Sequence, residues 1–142
     1  MRVISTAILL VLAGGAVAAP VYLDCVTRPD NPPPGAAREF RFSVKIDEAS
    51  GNITHTDADG SAFNAEGFFT AGEVGYKRDS VSDEFIKTTS YLINRTDLSV
   101  TRTFSSELSE RGMETLQNWD DSKSAIVTKG MCKVVKVKSR KF

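Results

Sequence analysis

The chain has 142 residues, with 18 basic and 18 acidic side chains, one histidine and two cysteines. That length fits one domain. The balanced charge argues against a general nucleic-acid binder, which needs excess positive charge, and no stretch approaches the ~18 apolar residues of a membrane span.

Residues 1–18 read as a secretory signal peptide. Arg2 supplies the positive start, Ile4 to Val11 a short apolar run, and Ala16-Val17-Ala18 a small-residue cleavage site. Leu12-Ala13-Gly14-Gly15 is laid out like a lipoprotein box, but Gly15 stands where the lipidated Cys belongs. The expected product is therefore a soluble exported chain, 19–142, without a lipid anchor. Removing 18 of 142 residues leaves 124, and losing Arg2 leaves 17 basic against 18 acidic groups, a net charge of −1.

Val21 to Val26 predicts the first strand. Val21, Leu23 and Cys25 share one side, and Tyr22, Asp24 and Val26 the other. The run Asn31-Pro32-Pro33-Pro34-Gly35 cannot join a ladder and predicts a stiff surface loop. A hairpin follows over 39–56. Phe40, Phe42, Val44 and Ile46 alternate with Arg41, Ser43, Lys45 and Asp47, and Glu48-Ala49-Ser50-Gly51 forms the turn. Gly51 suits a left-handed turn position. His55, the only histidine, lacks a second His or Cys with which to share a metal and is expected on a strand surface. Asp57-Ala58-Asp59-Gly60 starts like a calcium loop, but Phe68 stands where the closing Glu should be, so a polar turn is predicted.

In 61–79, Phe63, Ala65, Gly67 and Phe69 share one parity, and Val74 and Tyr76 mark a short strand. Gly67 and Gly75 predict bulges or close backbone approaches. A second hairpin spans 84–105. Phe85, Tyr91 and Ile93 share one face of its first arm, and Leu98, Val100 and Phe104 alternate with Ser99, Thr101 and Thr103 in its second. Set beside the first hairpin, 46–54 and 93–101 match at equal spacing, which either duplication or shared hairpin grammar explains. Leu98 then stands where Gly51 stood, so its turn is either built differently or strained.

Residues 106–121 predict a short helix, with Ser106 as cap and Gly112 weakening it. Met113, Leu116 and Trp119 follow helical spacing. They are expected to bury against the sheet, or, if exposed, to form a partner-binding patch. The last strand is predicted over 125–135, ahead of a basic, solubilising tail. Two sequons, at Asn52 and Asn94, carry meaning only in a cell that glycosylates them.

An isolated cysteine pair in an oxidising compartment usually bonds, so Cys25 and Cys132 are expected to tie the first strand to the last. With no Cys-x-x-Cys, a redox role is disfavoured. The order Tyr22-Leu23-x-Cys25, Val44-Lys45-Ile46-Asp47, Gly67-Phe68-Phe69-Thr70, Glu73-Val74-x-Tyr76, Ile93-Asn94-Arg95 and Gly130-x-Cys132-Lys133 resembles a loose group of small exported proteobacterial proteins. The resemblance implies export, a cysteine bridge and an all-β fold, and supplies no catalytic or ligand residues. The chain departs from the group at Leu98 and in 106–121. Small β-barrel inhibitors of lysozyme are an analogy of shape alone.

The expected fold is all-β, an antiparallel sandwich or partly closed barrel of about seven or eight strands. The expected function is non-enzymatic binding in the envelope, periplasm or exterior. It needs no cofactor or metal, and the partner is unknown, another envelope or secreted protein being one candidate. The alternatives are an inhibitor of a secreted hydrolase and, further off, an enzyme using paired carboxylates such as Asp57 with Asp59 or Asp120 with Asp121.

Overall fold

The computed structural model describes residues 18–115 and 123–137. Nine antiparallel strands form one sheet: β1 (Val21–Arg28), β2 (Phe40–Asp47), β3 (Asn52–Asp57), β4 (Ala62–Glu66), β5 (Phe68–Phe69), β6 (Glu73–Val81), β7 (Phe85–Asn94), β8 (Ser99–Leu108) and β9 (Lys123–Val134). Among the described residues one helix, α1 (Glu110–Thr115), lies between β8 and β9. The strand order is β4-β3-β2-β1-β9-β8-β7-β6-β5. The expected all-β class holds, with one or two more strands than expected.

The two edges of this sheet are the two halves of one stretch of chain. β4 pairs with β3, β5 pairs with β6, and only Gly67 separates them. The sheet therefore curls into a nearly closed barrel. The bend needs glycine: a Cβ on Gly67 would strike the Phe69 ring and approach Ile53 to 2.9 Å. The two edges that remain, β4 and the two-residue β5, are short, which limits strand addition.

The other closure is the β1–β9 seam, where the first strand meets the last. Cys25 and Cys132 stand directly opposite each other in the register, 4.0 Å apart at Cα, and are bonded. Both are buried. Gly130, opposite Thr27 and Val100, lets β9 press against β1, because a Cβ there would land on the Val26 carbonyl. Backbone cannot swing aside as a side-chain tip can. Gly130→Ala is expected to lower stability by about 2–3 kcal/mol, measured by urea unfolding; a change under about 0.5 kcal/mol, the range of an ordinary surface substitution, would mean the seam is loose.

At one end of the barrel the β2–β3 and β7–β8 turns repeat each other. Asp47 Oδ1 accepts from the Ser50 amide, and Asn94 Oδ1 from the amides of Thr96 and Asp97. Gly51 has φ 73° and Leu98 φ 60°. Leu98 thus takes the left-handed conformation that costs a branched residue about 1–2 kcal/mol. Its half-buried side chain packs against the core, which offsets that strain. Glu48 and Arg95 join the two turns by an ion pair at 2.6 Å. Above them lies an aliphatic layer that includes Leu23, Ile46, Ile53, Val74, Ile93 and Val100, all buried.

At the opposite end, which we call the rim, β7 and β8 outrun β1 and β3. The last pairs of β1 engage Thr27 and Arg28 with Gly130 and Lys129, whereas β7 and β8 stay paired from Ile93–Val100 to Phe85–Leu108. β6, expected to be short, runs beside β7 through Val81. α1 braces this projection. Ser109, not Ser106, is its cap, since Gly112 N donates to Ser109 Oγ at 3.0 Å while Ser106 belongs to β8. Gly112 does more than weaken the helix: it allows α1 to touch the Glu84 carbonyl.

Candidate functional site

Between the aliphatic layer and the rim sits an aromatic layer built around His55. Strand alternation puts His55 on the same face as Ile53, so it points inward and is wholly buried. This corrects the expectation of a surface histidine. Its ring is stacked between Phe42 and Phe63, with centroids 4.8 Å away on each side, and Tyr91 lies at 4.7 Å.

Both ring nitrogens are engaged. Nε2 lies 3.0 Å from Asp57 Oδ1, and Nδ1 lies 2.9 Å from the Tyr76 hydroxyl. A carboxylate only accepts, so Nε2 carries the proton and Nδ1 accepts from Tyr76. Burial holds the imidazole pKa below its usual 6.5, against the opposing pull of Asp57, with Arg102 and Arg78 adding to the depression. The ring is neutral at pH 7, and its contact with Asp57 is a hydrogen bond. Burial also drives the Tyr76 and Tyr91 hydroxyls up, so they stay protonated. The relay Asp57–His55–Tyr76 thus runs from a part-exposed carboxylate through a sealed imidazole to a buried phenol.

This depressed pKa gives a pH dependence of defined sign. The unfolded chain binds a proton near pH 6.5 that the folded chain rejects, so His55 favours the fold above that pH. The contribution shrinks as pH falls below it. Three exposed carboxylates, Asp59, Asp79 and Asp97, have pKa values held below 3.8 chiefly by hydrogen bonds from Ser61, Thr88 and Ser99, so their own losses come at lower pH. Stability measured from pH 7.5 to 5 is expected to decline with acid in the native chain and to stay flatter in His55→Phe. Equal slopes would contradict the buried neutral ring.

Above this layer the rim is basic. Arg78 continues the inward face of Val74 and Tyr76 on β6, and Arg102 that of Val100 on β8. Arg78 lies over the Phe63 ring at 4.9 Å, and Arg102 over the Phe40 ring at 4.1 Å. Arg102 also works against burial to pull the Tyr91 pKa back down. Among the described residues neither guanidinium has a carboxylate within ion-pair reach.

The other sequence-based candidates do not converge. Met113 is 57% exposed, against the expectation of burial, and Leu116 and Trp119 lie outside the described residues. Cys25 and Cys132 form the seam described above. Asp57 is held by His55, and Asp59 Oδ1 accepts from the amide and hydroxyl of Ser61, the polar turn expected there. Asp120, Asp121 and residues 1–17 lie outside the described residues. No group of three or more His, Cys, Asp or Glu among the described residues could hold a metal. The residues that sequence reasoning missed, Tyr76, Tyr91, Arg78 and Arg102, each left the same signal: a polar tip or charge at an apolar parity. No family model, curated protein or solved structure matches the chain.

Proposed function

We propose that this chain is an exported, non-enzymatic binding protein of the cell envelope or exterior, whose binding end is the barrel rim. The observation that carries it is a contrast. The one imidazole is sealed with both nitrogens occupied, while among the described residues the rim guanidiniums of exposed Arg78 and half-buried Arg102 have no carboxylate partner. Support for export comes from the apolar start of the chain and from the Cys25–Cys132 bridge, which forms and persists in oxidising compartments. Among the described residues no helix is long and apolar enough to cross a membrane.

The test is a capture experiment. The chain beginning at Ala19 is used as bait in periplasmic extract or culture medium, beside an unrelated disulfide-bonded barrel. A partner or small molecule retained by this chain alone is expected. Recovery of the native chain in the cytosol with residues 1–18 attached would contradict the reading. The projecting β6–β8 end braced by α1 also has the shape of an inhibitory finger. Residual muramidase activity in the presence of the purified chain decides that second reading, full activity ruling against it.

A further inference from the structure

Strands β6 to β9 rise past the rim as a half-shell, and their charges are sorted by face. On the inward face stand Arg78, Lys87 and Arg102, at the same parity as the buried Tyr76, Tyr91 and Val100. Asp79, by contrast, points outward, where it meets Lys77 and Thr88. Asp57, the one acid at an inward parity near the rim among the described residues, is already bonded to His55. The same inward face carries apolar surface: Phe104 pairs with Ile126, which is 55% exposed although it shares the parity of buried Thr128 and Cys132. By register Arg78 stands level with Phe104 and Ile126, Arg102 one step toward the His55 layer and Lys87 one step outward, so cationic and apolar side chains share one inward face, which has the chemistry of a site for an anion with an apolar body.

We propose that the rim binds an amphiphilic organic anion, its carboxylate or phosphate head held between Arg78 and Arg102 and its apolar body laid on the inward face at Phe104 and Ile126. This rests on the binding reading above. The guanidinium fork suits either head group, and stacking over Phe63 and Phe40 orients both side chains before a ligand arrives. The site discriminates by charge: a cationic head on the same tail meets two like charges and is rejected.

The experiment is calorimetric titration of the disulfide-bonded chain with decanoate, decyl phosphate and decyltrimethylammonium, all below their micelle concentrations. Binding of one or both anions is expected, weakened severalfold by raised salt and at least about tenfold by Arg78→Gln or Arg102→Gln, with Lys77→Gln as an outward-facing control that leaves it unchanged. Arg78 is exposed, so its variant is expected to melt with the native chain and keeps the test open if Arg102→Gln unfolds. Three results would overturn the proposal: equal binding of anion and cation, unchanged affinity in Arg78→Gln, or no heat from either anion at about 1 mM. None of these touches the broader reading, which fails instead if the native chain is found unprocessed in the cytosol.

Discussion

Replacing Cys25 and Cys132 together by Ala is expected to cost about 4–5 kcal/mol of stability, the loop-closure term for the 107-residue separation they span. Each half of this barrel is a meander of neighbouring strands, held by short turns that form locally. The β1–β9 seam is different, because it joins the two ends of the chain and must be found across the whole sequence. The bridge shrinks the unfolded ensemble in which that search occurs. Six registered pairs along the seam remain without it, so the variant is expected to keep the same barrel. Its urea midpoint should fall while the slope of the transition steepens, since an uncrosslinked unfolded chain exposes more surface. A loss under about 1 kcal/mol, far below that loop-closure figure, would show the bridge to be incidental to closure.

His55→Ala is expected to cost about 4 kcal/mol, for two separable reasons. It empties the slot between Phe42 and Phe63, and it leaves the buried Tyr76 hydroxyl without an acceptor. His55→Phe refills the slot and keeps only the second loss, about 1–3 kcal/mol. Adding Tyr76→Phe then removes the orphaned hydroxyl, and the double variant should recover most of that loss. Asp57, 42% exposed, finds water in its place. Urea unfolding of the four proteins reads the cycle directly. A double variant no more stable than His55→Phe would mean that the Tyr76 contact carries no energy.

The strand grammar of this fold was legible in the sequence. Alternation over 39–56 and 84–105 placed both hairpins, the equal spacing placed their turns, and the two cysteines marked the seam. What alternation does not announce is which side chains meet inside the barrel and how far pairing carries a strand. The sequence offers His55 no second His or Cys with which to share a metal, and so points to a strand surface. One partner, Asp57, is local and two residues on, but the others lie across the barrel: Tyr76 stands 21 residues away, and Tyr91 comes from a further strand. β6 extended past its short apolar core because pairing with β7 sustains it through Ser80–Lys87 and Val81–Ile86, pairs with no apolar alternation to announce them. Arg78 and Arg102 each interrupt an apolar parity, a signal that strand alternation alone does not mark as a site. The cap of α1 was misplaced by three residues because β8 overran the expected end of its hairpin.

The proposed export and the bonded seam make separate predictions, and intact mass of native protein reads both. The chain is isolated from the envelope and culture fractions, alkylated without reduction, and weighed before and after reduction. The account predicts a chain beginning at Ala19, with no alkyl group taken up until reduction and two afterwards. A chain retaining residues 1–18, or two thiols alkylated at once, would contradict it.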